Sequence, residues 1–142
     1  MIWGTVAASL QTLANADTGA GGLFYPSAPL ILGFFTDEGY LAQPMPFVVA
    51  SCVSITSIEV FTASQRTWEI NFQLGVWTEK RLGEVNHQAI VSRLATVFNR
   101  QPLTSSGYVC SQLIPTGSPV WETQADALYS VHQYNGLFAT NP

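Results

Sequence analysis

The residues that could do chemistry are few in this sequence and lie far apart. The two histidines, His87 and His132, have no cysteine or carboxylate near them at the spacing that metal ligands show. His87 falls among polar neighbours of a predicted helix, and His132 falls in a predicted strand. We therefore predict no metal site, with His87 on the protein surface and His132 in the sheet.

No segment has the pattern of a catalytic or cofactor-binding loop. The glycine-rich run 19–22 lacks the lysine and hydroxyl residue of a phosphate-binding loop and follows no strand, so we interpret it as a flexible connector. A Gly-x-Ser-x-Gly pattern is absent, and the adjacent carboxylates Asp37 and Glu38 suit a solvated turn better than an acid–base pair. We predict no catalytic residues, no cofactor and no enzymatic activity.

Composition indicates a protein that needs partners. The 142 residues suit one domain, 1–142. Charged residues make up only 10% of the chain, against about 25% in an ordinary soluble domain. The net charge of −4 opposes tight binding to nucleic acid. Proline and glycine break the long uncharged stretches, so we expect no membrane span.

The N-terminus lacks the pattern of a secretion signal, and this predicts folding in a cytoplasm. Cys52 and Cys110 both lie in apolar, strand-like segments. In a reducing compartment, two buried thiols are a better prediction than a disulfide.

The clearest element is the stretch 67–77, in which apolar and polar residues alternate. The apolar set is Trp68, Ile70, Phe72, Leu74 and Val76; the polar set is Thr67, Glu69, Asn71 and Gln73. Because side chains point to opposite faces along a strand, one face should lie in the core and the other should be available for another role.

The remaining elements follow from periodicity and from the positions of proline and glycine. We predict helices over 2–14 and 78–99 and further strands over 46–55, 106–114 and 127–138. In the strand 46–55, the core side is assigned to Phe47, Val49, Val53 and Ile55. The predicted fold is α+β: an antiparallel or mixed sheet of about four strands with two helices packed on one face.

Two sets of residues are candidates for contacts with partners. Apolar side chains are concentrated in one loop, and an aromatic residue lies in another: Leu30, Ile31, Leu32, Phe34, Phe35 and Trp121. We predict a subunit or partner interface there, with a loop packed back over its own core as the alternative. Glu59 and Glu69 lack an evident basic partner, so they are either plain solvated acids or a negative lining for a passing polyanion.

The order of these features resembles the tail terminator (tail completion) proteins of long-tailed bacteriophages. The features that carry the resemblance are an N-terminal helix, a strand opening Pro46-Phe47-Val48-Val49, the alternating strand ending Val76-Trp77-Thr78, a helix with Ile90, Leu94 and Phe98, a turn at Pro102-Leu103-Thr104 with Gly107, and a closing alternating strand around 128–134.

The resemblance implies a structural virion protein, assembled in the host cytoplasm, that forms a hexameric ring. Such a ring caps the tail tube, ends its polymerisation and joins the tail to the head connector while DNA passes through the lumen. Six copies would bring about −24 of charge to this ring, and a lumen lined by Glu59 and Glu69 would repel the passing DNA. The partners implied are further copies of the chain, the tail tube protein and the head-completion or connector protein.

Two alternatives remain open. The segment 23–45 is long and apolar for the family and the last strand is nearly uncharged, which would suit another connector ring, a head-closure (stopper) or tail tube protein. The second alternative is a small-ligand-binding α+β domain whose pocket is lined by aromatic residues, with Trp68, Phe72, Tyr108 and Tyr129 as the candidates.

Overall fold

The computed structural model describes residues 2–36, 43–58 and 66–140. The elements in chain order are α1 (Ile2–Asn15), β1 (Gly33–Phe35), β2 (Phe47–Ile58), β3 (Thr67–Glu79), a short 3-10 helix (Lys80–Leu82), α2 (Gly83–Phe98), β4 (Leu103–Ser105), β5 (Tyr108–Cys110), β6 (Ile114–Thr123) and β7 (Ala127–Thr140). Over these residues, neither helix is long and apolar enough to cross a membrane.

The strands form one mixed sheet in the order β1-β2-β3-β7-β5-β4, curled into a half-barrel, with β6 also paired to β7. The β1–β2 pair is parallel and the other pairs are antiparallel. The predicted count of about four strands is wrong, because the described residues form a sheet of seven. Three strands of only three residues are too short to show alternation, and Pro115, Gly117 and Pro119 gave β6 the composition of a loop.

β3 lies at the centre of the sheet, and its predicted alternation is confirmed for four of the five apolar positions. Ile70, Phe72, Leu74 and Val76 are fully buried, whereas Trp68 is only partly buried near the end of the sheet. These side chains share one core cluster with the apolar stripes of both helices. Fully burying each of them is worth about 1.5–3 kcal/mol, which fixes the register of β3.

The predicted core face of β2 is wrong over its first half. Phe47 pairs with Trp77 and Val49 with Gly75, on the face away from the helices, while Val48 and Ala50 belong to the core. A bulge between Cys52 and Ser54 adds one residue to β2 and reverses the alternation beyond it. Ile55 therefore packs against the core as predicted, whereas Val53 is 56% exposed.

The second helix begins later than predicted. β3 continues through Thr78 to Glu79, and α2 begins at Gly83. Thr78, the first residue of the predicted helix, is a fully buried strand residue. Its hydroxyl is bonded to His87 on α2 instead of to a backbone amide at the start of the helix.

The connector after α1 is a tight turn and not the flexible linker that its glycines indicated. Its backbone bonds include Gly22 N to Gly19 O at 2.8 Å and Phe24 N to Asp17 O at 3.0 Å. A Cβ on Gly22 would lie 2.5 Å from the Asp17 carbonyl oxygen, so a side chain does not fit there. Asp17 also accepts two hydrogen bonds from Arg93 and one from the Leu23 amide, which ties the turn to α2.

Candidate functional site

Four buried or partly buried polar side chains from three elements form one hydrogen-bonded chain. Thr78 Oγ1 on β3 lies 2.7 Å from His87 Nδ1 on α2. His87 Nε2 lies 2.7 Å from Ser130 Oγ on β7, and Ser130 Oγ lies 2.8 Å from His132 Nε2. The fold thus joins the two histidines through a single hydroxyl, although they are far apart in sequence. We call this set the histidine chain.

The prediction that His87 is a surface residue is wrong, since its side chain is fully buried. Burial lowers the pKa of His87 to about 4, with a smaller contribution from the charge of His132, and burial also lowers the pKa of His132. Both rings are therefore neutral near pH 7. Each neutral ring has one donor and one acceptor nitrogen, so all three bonds can run in one direction, from Thr78 to His132.

The side chain of Trp121 on β6 covers the histidine chain. Its ring centroid lies 4.9 Å from that of His87 and 6.4 Å from that of His132. All ten residues of β6 are exposed, and Trp121 itself is 45% exposed. The strand is held to the sheet by β7 alone among the described strands, with a break in register between Thr116 and Val120.

The histidine chain has a nucleophile, the Ser130 hydroxyl, beside an imidazole, yet its geometry does not suit acyl transfer. Ser130 is fully buried beneath Trp121, so no substrate carbonyl can reach its Oγ in this conformation. Across the described ranges, no three histidine, cysteine or acidic side chains come together as metal ligands would. Sequence analysis did not identify Thr78 or Ser130 as members of a site. The one local signal was Thr78 itself, a polar residue at a position where the alternation of β3 predicts an apolar one.

The half of the sheet nearest the start of β3 carries a polar network on the face away from the helices. Asn135 Nδ2 donates to Glu69 Oε1 and to Asn71 Oδ1, each at 2.9 Å. Asn71 Nδ2 in turn donates to Ser54 Oγ at 3.0 Å. Glu69, one of the two predicted lumen acids, is thus held in place by an amide and not by a cation. Glu59 lies outside the described residues.

The other half of the same face is aromatic. Trp77 stacks on Tyr129 with ring centroids 4.2 Å apart, and Phe47 lies 6.2 Å from Trp77 and 5.9 Å from Phe35. Tyr129 lies across Gly75, where an added Cβ would be 2.9 Å from the tyrosine ring. Beside this row is an open hollow of about 400 Å³, lined by residues including Ser51, Gln73, Gly75 and Tyr129.

The predicted interface residues separate into core and surface positions. Ile31 is fully buried and Phe34 is 3% exposed, stacked 5.8 Å from Phe98, so this part of the loop follows the alternative of packing over its own core. Leu30 and Phe35 are partly buried. Leu32 is 55% exposed and Trp121 45% exposed, and their contact with a partner stays a prediction.

The predicted aromatic pocket is not assembled. Trp68 packs edge-on against Tyr108 at 5.4 Å, Phe72 lies in the core and Tyr129 lies on the opposite face of the sheet. Both cysteines are free thiols, Cys110 buried and Cys52 partly buried, and burial raises the pKa of each. A raised pKa lowers the fraction of thiolate, which is the reactive form, at neutral pH.

Comparison with known proteins identifies the fold. No protein-family model matches the sequence, and no match was found among curated proteins. Among solved structures, the chain is similar to one from the "Virion of native gene transfer agent (GTA) particle". The two share 14% identity, the match covers 96% of each chain, and the TM-score is 0.66. At this identity the likeness shows a shared fold over nearly the whole length.

Proposed function

We propose that the protein is a structural component of a phage-like virion, and within that class a tail terminator. In this role, copies of the chain form a ring, taken to be a hexamer, that caps the tail tube, ends its polymerisation and joins the tail to the head connector. The observation that carries the proposal is the fold shared with a chain of a gene transfer agent virion over 96% of both lengths. No enzymatic step is part of this function.

The surface of the chain supports a protein that assembles. Few charged groups cover it, and the exposed apolar side chains include Leu32 at 55%, Val120 at 54% and Trp121 at 45%. Val120 and Trp121 lie on the fully exposed strand β6, at one edge of the sheet. Successive side chains of a strand point to opposite faces, so this edge presents one exposed apolar side chain on each face, and each is a candidate for a protein–protein contact. A ring needs two different contact surfaces on each subunit, and Leu32 and β6 are candidates for these.

The polar face around Glu69 suits a channel through which DNA moves. It presents amides, hydroxyls and a carboxylate, and no lysine or arginine joins the network formed by Glu69, Asn71, Asn135 and Ser54. A network without cations offers no ion pair to a phosphate backbone, so it would not hold the passing DNA. We assign this face to the lumen as part of the proposal.

Light scattering and electron microscopy of the purified protein test ring formation. We expect particles several times the 15.4 kDa of the chain, with a central hole, alone or after addition of tail tubes. Particles that carry Glu69→Lys should assemble but eject DNA more slowly, whereas Glu84→Lys on the exposed start of α2 serves as the control of equal charge change. A chain that stays monomeric both alone and with tail tubes would refute the proposal.

The same measurements separate the alternatives. A head-closure protein would bind the connector and leave tube length unchanged, while a tail tube protein would polymerise into long tubes. A small-ligand-binding domain has one supporting feature, the hollow of about 400 Å³ beside Tyr129, which falls in the size range of ligand sites. Quenching of tryptophan emission by a panel of small ligands, lost in Tyr129→Ala, would favour that function.

A further inference from the structure

We propose that the histidine chain is an acid-sensitive clasp that holds β6 against the body of the domain. The residues of the clasp are Thr78, His87, Ser130 and His132, with Trp121 as the part of β6 that covers them. This inference does not depend on the proposed function, since it concerns only the state of one strand.

The first argument is the count of donors and acceptors. With both rings neutral, each imidazole offers one donor and one acceptor, and the single Ser130 hydroxyl accepts from one ring and donates to the other. One added proton leaves all three hydrogen bonds possible, because their direction can be chosen to suit it, so burial is what opposes the first proton. With two added protons, both Nε2–H groups point at the same Ser130 oxygen, and the hydroxyl hydrogen has no acceptor. The second proton therefore leaves a buried donor, the Ser130 hydroxyl, without an acceptor in the histidine chain, which costs free energy in the closed form.

The second argument is electrostatic. His87 and Ser130 are fully buried, and a charge there loses most of its hydration. Two imidazolium rings linked to one oxygen would also repel each other. The low pKa of both histidines in the closed structure agrees with this geometry.

The surrounding charges do not compensate for protonation in the closed form. Glu84 on α2 and Glu122 on β6 line a shallow cleft beside Trp121, and Glu79 on β3 is bonded to Arg81 at 2.7 Å. In the described ranges, Thr78 and Ser130 are the hydrogen-bond partners of His87, and no carboxylate contacts either ring. Glu122 leaves with β6 when the site opens to water, whereas Glu84 stays on α2 and would stabilise the charged rings, so Glu84 favours the open state at low pH.

The strand β6 contributes no buried residue to the core, so it can leave while the core stays packed. Its ten residues are exposed, and its pairing with β7 is interrupted between Thr116 and Val120. Elements with few buried contacts open locally before the rest of a domain unfolds. Removing Trp121 would admit water to His87, which allows both rings to titrate near the ordinary histidine value of 6.5.

Hydrogen exchange of the whole chain, measured from pH 7.5 to pH 5 and corrected for the chemical exchange rate, tests the clasp. We expect protection in β6 to fall with pH while the central strand β3 stays protected. Below pH 6.5 the opening constant should rise toward about a hundredfold per pH unit, since two protons are taken up. In His132→Gln the opening constant should rise by at most about tenfold per pH unit, because one titrating ring is left.

Trp121 gives a second readout on the unmodified protein. Hydration shifts indole emission to longer wavelength, so the Trp121 emission should shift as the pH falls and β6 opens. Subtraction of the Trp121→Phe spectrum isolates this signal from the other tryptophans. Constant β6 protection across the pH range would overturn the proposal. The proposal would also be overturned if β6 and β3 lost protection together. The same holds if the opening constant of the unmodified protein rose by no more than about tenfold per pH unit.

Discussion

Arg93 on α2 donates two hydrogen bonds to the carboxylate of Asp17, although the residues are 76 positions apart. Its Nε lies 2.8 Å from Asp17 Oδ2, and Nη2 contacts Oδ1. The Leu23 amide donates to the same carboxylate at 2.8 Å. This pair closes the glycine-rich turn onto the second helix, so it fixes the path of the chain into β1.

Arg93→Met should lower the free energy of unfolding by about 1–3 kcal/mol, because it leaves a largely buried carboxylate without its cation. The matched control is Arg81→Met. Arg81 also pairs with a carboxylate, but its side chain is 76% exposed, so we expect a change within about 0.5 kcal/mol. Urea unfolding measures both, and equal losses would contradict the assigned role of Arg93.

The same pair predicts a pH dependence. The hydrogen bonds from Arg93 are the largest cause that holds the pKa of Asp17 below its ordinary value of 3.8. A lowered carboxyl pKa gives stability that is present above pH 3.8 and is lost as the pH falls through the folded-state pKa. The difference between the unmodified protein and Arg93→Met should therefore shrink below about pH 4.

His87 predicts a second and separate loss of stability in acid. Its pKa is about 4 in the folded protein and about 6.5 when unfolded, so the unfolded chain binds more protons between these values. The contribution of His87 is complete above pH 6.5, and about 3 kcal/mol of it is lost as the pH falls to 4. Denaturant unfolding at each pH gives the slope, and the imidazole resonances in NMR give the pKa. A His87 pKa near 6.5 in the folded protein would contradict this prediction.

Phe34→Asp and Leu32→Asp should behave differently despite lying two positions apart. Phe34 is 3% exposed and stacks on Phe98, so a carboxylate there should cost about 3–5 kcal/mol and unfold much of the protein. Leu32 is 55% exposed, so its substitution should leave the fold within about 0.5 kcal/mol while weakening assembly. Circular dichroism and light scattering separate the two effects. An unfolded Leu32→Asp would show that this side chain supports the fold.

Gly75→Val should disturb the aromatic row on the outer face. The added side chain would displace Tyr129 from Trp77, with an expected loss of about 1–3 kcal/mol and a weaker near-ultraviolet circular dichroism signal. Gly4→Ala is the control, since nothing lies within 4 Å of its added Cβ. In that exposed helical position, alanine should be neutral or stabilising by up to about 1 kcal/mol. An unchanged aromatic signal in Gly75→Val would contradict the packing of Tyr129.

Sequence patterns were reliable where one local period governed burial. The alternation in β3 and the apolar stripe of α1 each reflect a single buried face, and the structure agrees with both. They failed in β2, where Phe47 and Val49 are buried on the face opposite the helices. When both faces of a strand are covered, alternation carries no information, and no local pattern indicated the bulge between Cys52 and Ser54.

The site was the part least accessible to sequence. His87 was predicted to lie on the surface because its neighbours in the helix are polar. Its burial depends on Thr78, Ser130 and Trp121, which come from three different strands. The exposure of Leu32 beside the buried Ile31 likewise depends on how the loop meets the core.

By itself, the sequence determined the central strand and the presence of both helices, because backbone geometry converts local periodicity into a buried face. It also determined a surface with few charges, since composition limits what can cover the core. The tertiary structure alone decided the seven-stranded sheet, the face of β2 and the meeting of His87 with His132. These depend on contacts between residues distant in sequence, which form only when the whole core is packed.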